Sequence, residues 1–160
     1  MKPRWKTLAQ RIHMEIAEID QAANNAIRHW QRYQEDTDDR EAFLNSVALN
    51  LHSFYNGIER ILELIAMELD EGILGGEAWH AELLRQMQLE LPSVRPAVLT
   101  RESGCTLDEY RKFRHLVCHI YANRLDARRI TPLIKQLPTI WQEVKQQLID
   151  FADFLSLIGD

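Results

Sequence analysis

Apolar residues return every three or four positions along most of this chain, and strand-like alternation is absent. Leu8, Ile12, Ile16, Ile19, Ala23, Ile27, Trp30 and Tyr33 form one stripe, which predicts a first helix from about Thr7 to Gln34. The polar run Glu35-Asp36-Thr37-Asp38-Asp39 breaks that stripe and offers a cap to a second helix, from about Arg40 to Asp70. Its stripe is Phe43, Val47, Leu51, Phe54, Ile58, Ile61, Leu62, Ile65 and Leu69, and Gly72, Gly75 and Gly76 end it. Two long helices joined by so short a link are expected to lie antiparallel. A shorter third helix, about Glu77 to Leu91, carries Trp79, Leu83, Leu84, Met87 and Leu91, and a loop follows from Ser93 to Cys105.

Thr106-Leu107-Asp108-Glu109 reads as a capping box opening a fourth helix that reaches about Asn123. Thr131-Pro132 reads as a cap with proline at the first helical position, opening a last helix to about Leu157. Pro138 predicts a kink or restart there. The expected fold is all-α: a single domain over residues 1–160, built as an up-and-down bundle of about five helices.

Composition narrows the function classes. The chain has 160 residues, 46 % of them hydrophobic, enough for a substantial core. No apolar run is long enough to span a bilayer. The basic start Met1-Lys2-Pro3-Arg4-Trp5-Lys6 is not followed by an apolar stretch, so no secretory signal is expected. Two cysteines, Cys105 and Cys118, make no disulfide framework and no zinc site of the CxxC type, and they read as reduced thiols in a cytoplasmic protein.

Net charge is −5, but it is uneven. Between Arg111 and Arg129 lie Arg111, Lys112, Arg114, Arg124, Arg128 and Arg129 against Asp126 alone. An acidic protein with one basic segment is not a general nucleic-acid binder, although that segment can serve a local phosphate. A solvated basic helix face is the plainer reading.

The candidate chemistry sits in this segment, in Arg114-His115-Leu116-Val117-Cys118-His119-Ile120-Tyr121. Histidine moves protons near neutral pH, and arginine offers a planar fork of donors to phosphate oxygens. On an ideal helix Arg114 and Tyr121 are about 20° apart, whereas Arg114 and His119 are about 140° apart. A site using both therefore needs a non-ideal helix, a reaching side chain or a second molecule. His115 and His119 share a face, but no third ligand at metal spacing accompanies them, so no metal or other cofactor is expected.

This stretch resembles the R-x4-H-x-Y motif of HepT-type toxins, which belong to the HEPN superfamily of all-helical ribonucleases. Phe54-Tyr55-Asn56-Gly57-Ile58-Glu59-Arg60-Ile61-Leu62 resembles their long second helix. The Trp79-His80 and Leu83-Leu84 stretch and the last helix, with Leu137-Pro138, Trp141 and Phe151-Ala152-Asp153-Phe154-Leu155, are similar to HepT-like chains too. The chain departs from the commonest pattern in carrying His115 where asparagine is frequent.

The resemblance implies a type VII toxin acting as a metal-independent endoribonuclease, working as a homodimer with both motifs at a shared cleft. Arg114 and His119 would be the catalytic pair, with attack by the RNA 2′-hydroxyl on the adjacent phosphorus. The substrate would be tRNA or mRNA. Tyr121 would accept AMP from a minimal nucleotidyltransferase antitoxin, blocking the cleft with bulk and negative charge. Two other readings stand beside this one: a catalytically silent HEPN module that binds a nucleotide or a nucleotidyltransferase, and a helical interaction scaffold.

The ribonuclease reading predicts Arg114 and His119 accessible in one cleft; the scaffold reading predicts at least one buried in satisfied packing. Glu59 reads either as a partner of a motif arginine or as an exposed charge. His80 and Trp79 read as groove lining or as a packing pair at a helix start, His52 as a satisfied edge histidine, and Cys118 as a small apolar filler.

Overall fold

A computed structural model describes residues 3–35, 38–73, 75–119 and 125–158, with backbone alone for residues 3, 118 and 119. Its five helices are α1 (Pro3–Gln34), α2 (Arg40–Leu69), α3 (Trp79–Met87), α4 (Arg101–His119) and α5 (Ala127–Ile158). No strand occurs among the described residues, and the fold is an all-α bundle as expected.

The α1–α2 hairpin is antiparallel, and its paired residues fix the register. Arg4 donates to the Glu68 carbonyl at 3.1 Å, Arg60 meets Glu15 at 3.2 Å, and His29 Nδ1 lies 2.6 Å from Ser46 Oγ. At the turn, Arg40 donates to the Tyr33 carbonyl at 3.0 Å and stacks over the Tyr33 ring. Gly57 leaves room for α1: a Cβ there would lie 2.5 Å from Ile19 Cγ1. Asp39 occupies the N-cap of α2, but its side chain makes no cap hydrogen bond.

The apolar stripes of all five helices meet in one cluster. Ile12, Ile19, Leu51, Phe54, Ile58, Ile61, Leu62, Leu83, Met87, Leu107, Val144 and Leu148 are fully buried in it. The α4–α5 pair is antiparallel as well: Gln147 contacts Thr100 and Ser103 near the start of α4, and Tyr110 donates to the Leu133 carbonyl at 2.7 Å. Trp141 Nε1 donates to Asp20 at 2.7 Å and ties α5 to α1.

The second helix begins at Arg40 as expected, whereas the starts of α1, α4 and α5 depart from the expected boundaries. α1 begins a turn early, at Pro3, because Trp5 is buried and joins the core. α4 begins at Arg101, not at Thr106. The Thr100 hydroxyl accepts the Ser103 N–H at 3.1 Å, and the Gln147 side chain accepts the Thr100 N–H, so the end is capped upstream of the expected box. Gly104, within the expected loop, lies inside the helix, where a larger residue's Cβ would overlap the Gln88 side chain.

α5 begins at Ala127, with the Asp126 carboxylate accepting the Arg128 N–H at 2.9 Å. Thr131 is therefore not a cap. Its hydroxyl donates back to the Ala127 carbonyl, and the helix runs on through Pro132 and Pro138.

α3 is shorter than expected because its last carbonyls are taken. The Met87 carbonyl accepts from Val98 and Leu99, and the Arg95 guanidinium takes those of Gln86 and Leu89. Arg95 also grips Asp70 with two bonds of 2.7 Å, and their side chains are 0 % and 2 % exposed. Gln86 adds a bond to Asp70 at 2.8 Å and one to the Gly72 carbonyl. This buried, fully bonded clasp pins the end of α2 to α3 and its following loop, and so sets α3 beside the middle of α2.

Candidate functional site

Residues 52, 56, 59 and 63 of α2 fall at helical spacing, so His52, Asn56, Glu59 and Glu63 make a polar stripe on a helix that is otherwise largely buried. The start of α3 brings Trp79 and His80 over that stripe, and α4 brings Arg111, Arg114 and His115 against it. Together these nine side chains line an open cavity of about 510 Å³.

Glu59 is its centre. Its side chain is 6 % exposed. Arg114 Nη1 donates to Glu59 Oε1 at 2.8 Å and Nη2 to Oε2 at 3.1 Å, a bidentate pair. Arg114 Nη1 also donates to Asn56 Oδ1 at 2.9 Å, and its guanidinium lies over the Tyr55 ring at 4.7 Å. His80 Nδ1 lies 3.0 Å from Glu59 Oε1 and 3.1 Å from Arg114 Nη2. The Trp79 ring stacks on the His80 ring with centroids 3.6 Å apart.

The electrostatics follow from this crowding. Burial, helped by the Arg114 charge, holds His52 below the ordinary histidine range, and Asn56 Nδ2 lies 3.1 Å from its Nδ1. Burial and then the Glu59 charge push the Glu63 carboxyl up. Burial also raises Tyr55, whose hydroxyl is enclosed without a hydrogen-bond partner among the described residues.

The basic segment is largely paired with carboxylates rather than free. Arg111 meets Asp108 at 2.6 Å, Lys112 meets Asp108 and Glu109 at 3.5 Å, and Arg128 meets Asp126 at 3.2 Å. Burial works against the Asp108 charge, but the Arg111 bond and the Arg111 and Lys112 charges still hold its carboxyl below the usual range. Asp108 and Glu109 of α4 thus reduce the expected excess of positive charge without removing it; Arg124 lies outside the described residues.

A family model described as HepT-like protein matches residues 46–155. The chain belongs to the HepT-like family. No curated protein and no solved structure matches it.

The matched HepT-like stretch contains every site residue expected from the sequence. Arg114 lines the cavity, but its side chain is only 11 % exposed; three of its hydrogen bonds go to Glu59 and Asn56, and Nη2 lies 3.1 Å from His80 Nδ1. It is therefore at once at the cavity wall and in satisfied packing. His115 is exposed and borders both this cavity and a second one, of about 420 Å³, between α4 and α5. The exposed-charge reading of Glu59 fails, since the carboxylate is buried against Arg114. Trp79 and His80 are both a stacked pair and groove lining. The side chains of Cys118 and His119, and the whole of Tyr121, lie outside the described residues. No group of three potential metal ligands occurs among the described residues.

The sequence reading assigned no role to Asn56, Glu63 or Tyr55. The signal was present in the spacing of His52, Asn56, Glu59 and Glu63, which places four polar groups on one line of an apolar helix.

Proposed function

We propose that this HepT-like chain is the toxin of a type VII toxin–antitoxin pair, a cytoplasmic, metal-independent endoribonuclease that forms one domain over residues 1–160. The observation that carries the reading is Arg114 at the wall of an open cavity, its guanidinium fixed by Glu59 and Asn56. To stabilise a developing phosphorane, Arg114 exchanges one of these contacts for a phosphate oxygen.

In this reading the 2′-hydroxyl oxygen of RNA bonds to the adjacent phosphorus as the bond to the next nucleotide's 5′-oxygen breaks. Arg114 stabilises the charge on the non-bridging oxygens, and His119 moves a proton. His115 supports the site from the exposed face of α4. DNA, lacking the 2′-hydroxyl, is not cut. The roughly 140° between Arg114 and His119 on an ideal helix is answered by a homodimer, in which α4 of each copy contributes to one cleft. Tyr121, two residues beyond His119, is the acceptor for AMP from a nucleotidyltransferase antitoxin.

One observation favours a second reading. Glu59, Asn56 and His80 already engage the Arg114 guanidinium, which suits a silent module that binds a partner and cuts nothing.

The test is incubation of total RNA, tRNA and DNA with the purified chain in EDTA, after intact mass has shown Tyr121 free of adenylate. RNA cleavage that is absent in Arg114→Ala and His119→Ala supports the toxin. Intact RNA throughout overturns it in favour of the silent module.

A further inference from the structure

Transesterification needs two proton transfers, one from the attacking 2′-hydroxyl and one to the leaving 5′-oxygen. The motif supplies one histidine. A second stands in the same cavity, on another helix. His80 belongs to the first turn of α3, and its side chain is 38 % exposed. Its Nδ1 is turned inward, 3.0 Å from Glu59 Oε1 and 3.1 Å from Arg114 Nη2. Stacking on Trp79 fixes the plane of the ring.

This is the arrangement of an oriented base. Nδ1 can donate to Glu59 or accept from Arg114, not both; with its proton toward the buried carboxylate the ring keeps a lone pair on Nε2, and the carboxylate stabilises the imidazolium once that nitrogen takes a proton. The same carboxylate holds Arg114, so the base and the phosphate-stabilising fork are set at one distance from each other by a single buried side chain.

We propose that His80 is a second catalytic histidine, the general base that takes the 2′-hydroxyl proton, and that Glu59 is its positioning residue. This rests on the ribonuclease reading above. The O2′–H bond breaks and its proton goes to His80 Nε2. The O2′–P bond forms and the P–O5′ bond breaks, with the proton from His119 going to O5′. The products are a 2′,3′-cyclic phosphate and a 5′-hydroxyl, and water restores the two histidines. The charged and titratable groups around His80 are Glu59, Glu63 and His52 from α2 and Arg111, Arg114 and His115 from α4.

The test is His80→Asn, because the asparagine Nδ2 replaces His80 Nδ1 and keeps the bond to Glu59 while removing Nε2. Two substrates are compared across pH: an RNA cut by the wild-type chain, and the same RNA with a bridging 5′-phosphorothiolate at the cut, whose sulfur leaves without a proton. We expect H80N to cut about 10²–10⁴-fold more slowly, to lose the low-pH limb of the rate profile, and to gain nothing from the sulfur leaving group. H119A should regain activity on that substrate.

An H80N variant that cuts like wild type, or that the phosphorothiolate rescues, overturns the proposal and leaves the ribonuclease reading standing. A wild-type chain that cuts neither RNA overturns both. Should H80N not fold, nitrogen-15 spectra of the wild-type imidazole decide. An Nδ1–H with unprotonated Nε2 is the expected signature, and a ring protonated at Nε2 alone overturns the role.

Discussion

Glu59→Ala is the sharpest perturbation of the site's architecture. In the folded chain this carboxylate accepts two bonds from Arg114 and faces His80 Nδ1, and it is 6 % exposed beside an arginine that is 11 % exposed. Removing one member of a buried pair leaves the other charged and uncompensated, at a cost of about 3–5 kcal/mol. Asn56 alone would still accept from the guanidinium, and one neutral acceptor recovers only about 0.5–1.5 kcal/mol of it. For a chain of this length about 3–5 kcal/mol lowers the melting temperature by about 6–20 °C. Urea unfolding at pH 7 reads the change directly. The double variant Glu59→Leu with Arg114→Met, which removes both charges and keeps apolar volume, should recover most of the loss. A loss below about 1 kcal/mol for Glu59→Ala is the size of a surface salt bridge and would refute the buried-pair account.

Other consequences follow from individual contacts. Gly57→Ala places a Cβ against Ile19 and should destabilise by about 1–3 kcal/mol in chemical denaturation, with partial recovery in a Gly57→Ala, Ile19→Ala background. Arg95→Met leaves Asp70 buried with Gln86 as its remaining partner, and should cost about 3–5 kcal/mol and speed hydrogen exchange from α3 through residue 99. Because burial depresses His52, the unfolded chain binds its proton more readily. Stability should therefore fall as pH drops below the ordinary value of 6.5, and His52→Gln should flatten that slope. Glu63 has the opposite sign: its raised carboxyl costs stability as pH rises past 4.5, so Glu63→Gln should be more stable than wild type at pH 7 and lose that advantage below pH 4.5.

The long helices were legible because their stripes are continuous: the α2 stripe from Val47 to Ile65 is the buried face seen in the fold. The start of α4 and the end of α3 were not, because each is decided by a partner outside that helix. Gln147 helps begin α4 at Thr100, and the Arg95 guanidinium ends α3 by taking its carbonyls. The capping box at Thr106 satisfies the local rule, yet the α4–α5 contact outweighs it. Similarly, Arg114 was legible as the chemical residue of α4, and pairing with a motif arginine was one of two readings of Glu59, whereas the engagement of Arg114 by Asn56 and its contact with His80 were not. Single-helix geometry relates residues 114 and 119 but cannot say which residue of α2 lies across from them. The clasp between Asp70 and Arg95 left no local trace at all, since neither residue breaks a pattern where it stands.

In the proposed reaction the RNA is cut by attack of the RNA's own 2′-hydroxyl on the adjacent phosphorus. The most direct measurement is the chemistry of the new ends left on RNA by the adenylate-free chain in EDTA. The account predicts a 2′,3′-cyclic phosphate on the upstream fragment and a 5′-hydroxyl on the downstream one. A 5′-phosphate, or RNA left uncut, would contradict it.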